Sequence, residues 1–440
     1  MSGSMVTRAG SPRGAIVAVL VLVLASGCAP ADRSTVRWSA GAAPSVSPTT
    51  AVAGGEVASP SGGSSAAGPA GDTPGPVGTD GPGVAASGGP LGTDAAGRRV
   101  VRILGAGDIL VHPALTEQAR LDARRSARRG LDFAPMFAGV TPRIRAADLA
   151  LCHLETPLGE AAGPFAGYPR FNAPPQVLDA VRWAGFDGCS TASNHTLDQG
   201  STGVQRTVAA LDAAGLGHTG SAASGKGAAA PKIYQVGGAD GVRVAHLSYT
   251  ASLNGLRRPR GREWLVNVIN PAAIRAETRR ARAAGAQIVV LSLHWGTEYQ
   301  HRPDAAQRRW ARQLAGSGVD LILGHHAHVV QPVTRVAGTW VGYGMGNEIA
   351  RHSRPVDANR EGLMVQATFA EVGPGRWAVD RVEVIPTWVD LAPDIRLVDL
   401  PAALADPGVP ADRRRVYQAS YQRIRQVVLA EGPGAAVVTR

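Results

Sequence analysis

Five short polar blocks in this 440-residue sequence stand directly behind apolar runs. Gly107-Asp108-Ile109-Leu110-Val111-His112 follows Val100–Ala106, and Glu155-Thr156-Pro157 follows Leu149–Leu154. Ser193-Asn194-His195-Thr196-Leu197-Asp198 follows Phe186–Ala192, and His294-Trp295-Gly296-Thr297-Glu298 follows Gln287–Leu293. The last, Gly324-His325-His326-Ala327-His328, follows Val319–Leu323. Carboxylates, a side-chain amide and several imidazoles form a mixed nitrogen and oxygen donor set, which suits Zn, Mn or Fe. The donors suffice for two ions. A pair roughly 3.5–4 Å apart can activate water and clamp both oxygens of an in-line phosphoryl displacement. Taken singly, each block is ordinary: Gly-Asp behind a strand is usually a turn, and a lone His is usually a hydrogen-bonded core residue. Three imidazoles in four residues rarely serve packing, and the reading rests on all five blocks occurring in order.

Elements of two kinds must position these blocks. Besides the five runs, Val242–Tyr249 and Trp340–Tyr343 read as strands. Helical periodicity covers Pro175–Ala184, Gly203–Ala214, Pro271–Ala284 and Asp304–Ala315. Strands alternating with helices imply an α/β fold built from βαβ units around buried sheet. In such folds sites gather beyond the carboxyl ends of strands, so the five blocks are expected on one rim. Near the C-terminus, Tyr417, Tyr421, Ile424 and Val428 recur at helical spacing within residues 413–430 and predict a core-facing helix.

Composition divides the chain. Residues 1–28 read as a signal peptide: Arg8 and Arg13 precede an apolar run from Ala15 to Ala25, too short to span a membrane. The segment ends in Leu24-Ala25-Ser26-Gly27-Cys28, which resembles a bacterial lipobox with Ala25 where Leu is usual; ordinary secretory cleavage nearby is the other reading. Residues 29–97 contain 15 Gly and 9 Pro and too few large apolar groups to offset ordering entropy, so they read as a disordered linker. Residues 98–440 then form one domain. The formal charge is +11, but all the basic residues except Lys226 and Lys232 are arginine, and none form runs interleaved with aromatics. A nucleic-acid partner is therefore not expected, whereas an anionic partner is permitted. Cys152 and Cys189 lack metal-site spacing, and the sequence leaves open whether they are bonded.

The order of blocks resembles the calcineurin-like metallophosphoesterases, and more closely the CapA-type poly-gamma-glutamate capsule-synthesis family. The matching text adds Ala184-Gly185-Phe186-Asp187, Gln199-Gly200, Tyr299, Val329-Val330-Gln331-Pro332 and Tyr343-Gly344-Met345-Gly346-Asn347 to the five blocks. The resemblance implies a metallophosphatase α/β sandwich, two packed sheets flanked by helices. It implies Asp108, Glu155, Asn194, His294, His326 and His328 as ligands of two divalent ions, with Glu155 bridging. It implies His195 as the acid that protonates the leaving group. His112, His153, Asp198, Glu298, His325 and Asn347 are expected as supporting residues or further ligands. Four positions depart from the family pattern: His153 and Ser193 each stand where Asn is usual, Gly344 where Ser is, and Glu348 where Phe is. Glu348 would add a carboxylate near the rim.

The implied activity is a metal-dependent hydrolase of phosphoesterase type, exported and held by a lipid on the membrane, facing the cell wall. Its partners would be an anionic polymer or phosphoester substrate and a membrane-bound polymer synthase. A non-catalytic polymer-binding subunit of capsule synthesis or export is the alternative, and a hydrolase of gamma-glutamyl or wall amide bonds a third. The anchor is tested by fractionation: Cys28→Ser should release the protein into the medium, and unchanged membrane association would refute lipidation.

Overall fold

The computed structural model describes residues 89–439 except Pro433. The expected signal peptide, Cys28 and the expected linker through residue 88 lie outside the described residues. Folded structure begins inside the stretch read as linker. Thr93 bridges Arg99, and Asp94 closes the intervening turn by accepting from the amides of Ala96 and Arg98. Among the described residues no helix is long and apolar enough to cross a membrane.

The strands run in chain order through two sheets. The first sheet opens with β1 (Val100–Ile109), β2 (Leu149–Leu154), β3 (Gly188–Ser190) and β4 (Gly217–Thr219), mutually parallel. The chain then builds the second sheet from β5 (Lys232–Val236), β6 (Val242–Thr250), β7 (Ile288–His294), β8 (Leu321–His325), β9 (Val333–Val336) and β10 (Thr339–Gly342). It returns to the first with β11 (Asn347–Ile349), β12 (Glu361–Gly373), β13 (Arg376–Asp390), β14 (Arg396–Asp399) and β15 (Ala436–Val437). The orders are β14-β13-β12-β1-β2-β3-β4, with β11 on β1 and β15 on β13, and β5-β6-β7-β8-β10-β9.

Strand alternation sorts the core into layers. Val101, Ile103, Leu149 and Leu151 of the first sheet meet Val242, Val244, Ile288, Val290, Leu321 and Leu323 of the second. The alternate residues Leu104, Ala150 and Cys152 face outward, onto α1 (Pro113–Arg125), α2 (Ala134–Phe137), α3 (Thr141–Arg145) and α4 (Val177–Ala184). Beyond them come α5 (Gly200–Ala213) and the short α6 (Gly225–Ala229). Ala245, Leu247, Val289 and Leu291 face α7 (Pro271–Ala283) and α8 (Ala305–Leu314) on the other side. The expected sandwich of two sheets flanked by helices is thus the architecture found. Leu400 of α9 (Leu400–Ala405), and Tyr417, Tyr421, Ile424 and Val428 of α10 (Ala411–Val428), pack with the inter-sheet core, as the periodicity predicts.

Two differences from the sequence reading bear on the site. β1, β7 and β8 run further than their apolar runs, so Asp108, His294 and His325 are strand residues, not turn residues. The long β12–β13 hairpin was not anticipated. Cys152 and Cys189 are register partners on adjacent strands and are joined by a disulfide.

Close backbone approach requires glycine at Gly105 and Gly107. A Cβ on Gly105 would lie 2.4 Å from Leu323 Cδ1, where the sheets touch. A Cβ on Gly107 would lie 2.5 Å from the Gly346 carbonyl oxygen, beside the bond from the Asp108 amide to that oxygen. A leucine tip can yield, whereas paired backbone cannot. Gly107→Ala should therefore cost about 1–3 kcal/mol in denaturant unfolding, and Gly105→Ala distinctly less.

Candidate metal centre

Register carries the polar blocks to one place. Across the first sheet, Asn347, Asp108, His153 and Ser190 are successive register partners on β11, β1, β2 and β3. Across the second, Thr250, His294 and His325 form the same kind of row on β6, β7 and β8. His153, His294 and His325 have the parity of the inward-facing apolar residues before them. The space between the sheets therefore changes from hydrocarbon to imidazole and carboxylate at the carboxyl ends of the strands.

Glu155 lies just past β2, 1% exposed, and neither carboxylate oxygen has a hydrogen-bond partner among the described residues. Its Oε1 faces His328 Nε2 at 3.6 Å and His294 Nε2 at 3.9 Å. One ligand atom from each of Glu155, His326 and His328 falls within 4.8 Å of the others, as does one from each of His153, Glu155 and His294. Asn194 Oδ1 stands 3.0 Å from His294 Nε2. Asp108 accepts from His325 Nδ1 at 3.0 Å and from the His326 amide at 3.0 Å, and lies 3.4 Å from His328 Nδ1. A buried carboxylate without donors, ringed by imidazole nitrogens and an amide oxygen, fits a divalent cation. The six expected ligands are thus neighbours in space.

Most of the expected supporting residues hold these groups. Asn347 Nδ2 donates to Asn359 O at 2.8 Å, which turns Oδ1 toward His328 Nδ1 at 3.0 Å. The His328 Nδ1–H donates there, leaving Nε2 directed at Glu155. His195 Nδ1 pairs with Asp198 Oδ2 at 2.7 Å, and Asp198 also accepts from the Phe171 amide at 2.8 Å. Ser193 donates through Oγ to Glu155 O at 2.6 Å and accepts from the His195 amide, tying the Asn194 loop to β2. His112 lies at the lip, its ring 4.8 Å from His352 and 5.5 Å from Phe171. Glu298 acts on Glu155 and His328 through its charge. Glu348 needs correction: alternation along β11 turns it away from Asn347, and it is fully buried, not a rim charge. Burial raises its carboxyl to about 8.

Two residues that the sequence reading passed over, His352 and Phe171, also belong here, as does Tyr299, to which it gave no role. His352 packs edge-on to His328 at 5.2 Å and meets Asn347 Nδ2 through Nε2 at 3.1 Å. Its signal was a polar block behind an apolar residue, the pattern used for the other five. Tyr299, half exposed, sits 6.1 Å from the His328 ring, and Phe171 sits edge-on to His195 at 4.7 Å. Tyr299, His326 and His328 hold positive φ of 60°, 86° and 53°. Such strain costs about 1–3 kcal/mol per residue, and here it gathers at one centre.

Electrostatics follow from this packing. Burial raises the Asp108 carboxyl, but hydrogen bonds from His325 and His328 outweigh it and hold the group well below the usual range. Burial raises Glu155 to about 7. His328 is pushed down by burial but pulled up further by Glu155 and Asp108, to about 10, so its ring is cationic at neutral pH. Burial keeps His153 and His294 neutral, and His326 falls to about 4. A cation held by His328 and Glu155 would displace the His328 proton, and below pH 7 the Glu155 proton as well. Protons compete, so apparent metal affinity should rise with pH. Calorimetry in buffers of different ionisation enthalpy should show about one proton released per chain at pH 8 and about two at pH 6.

Comparison with known proteins places this centre in context. The family model of the bacterial capsule synthesis protein PGA_cap matches residues 102–352, which include every candidate ligand. The capsule biosynthesis protein CapA of Bacillus anthracis is 29% identical over 228 residues, covering 50% of this chain and 54% of that protein. A "probable polyglutamine synthesis accessory protein" of Mycobacterium tuberculosis is 29% identical over 218 residues, covering 46% and 56%. The chain spans about half the length of the curated relatives it matches. Among solved structures, the calcineurin-like phosphoesterase YfkN of Bacillus subtilis aligns at 14% identity and a TM-score of 0.41, over 74% of this chain and 97% of that one. The family match covers more than half of the sequence and the whole polar cluster, and the chain belongs to the bacterial capsule synthesis protein PGA_cap family.

Proposed function

We propose that this chain is a cell-surface, metal-dependent hydrolase of phosphoesterase type, acting on an anionic polymer or phosphoester in capsule biosynthesis. The observation that carries the reading is the unpartnered Glu155 carboxylate, buried among His294, His326, His328 and Asn194. Asp108, Glu155, Asn194, His294, His326 and His328 would hold two divalent ions, Mn, Zn or Fe. When bound, the ions would supply Lewis acidity and activate water. The chain's own contribution beside them is proton transfer. Burial lowers the proton affinity of His195, but the Asp198 hydrogen bond and the nearby Glu155 charge raise it above the ordinary value. Its Nδ1 is held by Asp198, so Nε2 is left to protonate a leaving group. The half-exposed Tyr299, with His352 and His112 at the lip, would meet the substrate first.

The second reading, a polymer-binding subunit without turnover, draws support from the word "accessory" in the name of the Mycobacterium tuberculosis relative. Its membrane partner would be the synthase, with the lipid on Cys28 holding both to one surface.

The test is metal content and turnover on the purified folded part. About two ions per chain are expected, lost in His328→Ala and Asp108→Asn. His195→Ala should keep its metal and lose about 100- to 10,000-fold in kcat on an activated phosphodiester. Absence of bound metal after growth with Mn, Zn and Fe would overturn the hydrolase reading. Metal with polymer affinity and no turnover would establish the second.

A further inference from the structure

A buried chain of hydrogen bonds leads away from His294 into the sandwich. His294 Nδ1 lies 2.9 Å from His153 Nε2, and His153 Nδ1 lies 2.8 Å from Ser190 Oγ. Ser190 Oγ also reaches the Cys152 carbonyl oxygen at 3.3 Å. At the near end, His294 Nε2 is 3.0 Å from Asn194 Oδ1. All four side chains are at most 1% exposed, so solvent does not interrupt the chain.

His153 lies among the donors that could hold a cation, in one group with Asp108 and His325 and in another with Glu155 and His294. Its ring stacks on His325 at 4.0 Å with 19° between planes, which fixes the ring's orientation. Its two nitrogens already face Ser190 and His294.

Each neutral imidazole carries one proton, so the chain has two self-consistent directions. In one, Ser190 donates to His153 Nδ1, His153 Nε2–H donates to His294 Nδ1, and His294 Nε2–H donates to Asn194 Oδ1. Every group is satisfied without a cation. In the other, Ser190 donates to the Cys152 carbonyl, His153 Nδ1–H donates to Ser190, and His294 Nδ1–H donates to His153 Nε2. That direction leaves lone pairs on both His294 Nε2 and Asn194 Oδ1, the state a cation requires.

We infer that His153 and Ser190 form a reversible proton chain that sets the tautomer of His294, running outward to Asn194 in the metal-free protein and inward to Cys152 in the loaded one. This rests on the metal-centre reading above, but not on turnover. Protons balance: Ser190, His153 and His294 each carry one proton in both directions, so the switch moves protons between positions with no net gain or loss. His153 is a positioning residue. The pivot is the Ser190 hydroxyl, which has an acceptor in both directions.

The test combines nitrogen NMR with metal titration. In ¹⁵N-histidine-labelled protein, His294 Nδ1 should carry a lone pair before zinc is added and a proton afterwards. The same tautomer in both states would overturn the inference. A competing-chelator titration should show His153→Leu binding zinc about 10- to 100-fold more weakly. His153→Gln, whose amide oxygen still accepts from His294, should recover most of that affinity. Equal affinity in His153→Leu and the parent would also overturn it. Should His153→Leu fail to fold, Ser190→Ala serves, with a smaller loss expected. Zinc binding and tautomer reversal without turnover would support this chain while refuting hydrolysis.

Discussion

The Glu155 carboxylate, buried with no hydrogen-bond donor of its own, is the constraint around which the molecule is arranged. An uncompensated charge in a protein interior costs several kcal/mol. The surroundings offer partial relief: burial moves Glu155 toward the protonated form, and the His328 imidazolium lies between it and Asp108. The protonated ring thus stands where a cation would. That arrangement sits on one rim of a sandwich whose inter-sheet layer is otherwise largely apolar, with the buried His246–Ser292 hydrogen bond inside it.

Rigidity comes from backbone as much as from side chains. Parallel strands place Asn347, Asp108, His153 and Ser190 in one row and Thr250, His294 and His325 in another. Glycines at Gly105 and Gly107 let sheet and strand approach closely enough for the two rows to meet. The loop carrying Tyr299 is fixed by its amide donating to the Ala327 carbonyl at 2.8 Å. Trp295, fully buried, donates through Nε1 to Tyr343 O at 2.8 Å. In the His-Trp-Gly block, His is therefore the chemical residue and Trp the structural one.

Much of this was legible in the sequence, for a physical reason. A strand end that carries ligand-type residues breaks its apolar run abruptly, so Asp108, Glu155, Asn194, His294 and His326-Ala327-His328 stood out. What was not legible depended on registry or burial. The Cys152–Cys189 bond needs β2 and β3 side by side in a particular register. Glu348 reads as a rim charge until alternation along β11 turns it inward. His153 was expected as a supporting residue or further ligand, but its partners, His294 and Ser190, follow only from the packing of the sheets. The α1 helix escaped notice because it buries Thr116, Gln118 and Asp122 and has no side-chain cap. The β12–β13 hairpin carried its signal in Gly373-Pro374-Gly375 between two alternating runs, but no ligand-type block marked it.

The central claim is that this polar seam is a metal centre of the PGA_cap family fold. Anomalous X-ray diffraction at the Mn, Fe and Zn edges, on crystals grown from metal-supplemented protein, tests it most directly. The account predicts anomalous density at two positions among Asp108, Glu155, Asn194, His294, His326 and His328. Well-ordered Glu155, His294 and His328 side chains with no anomalous density among them would contradict it.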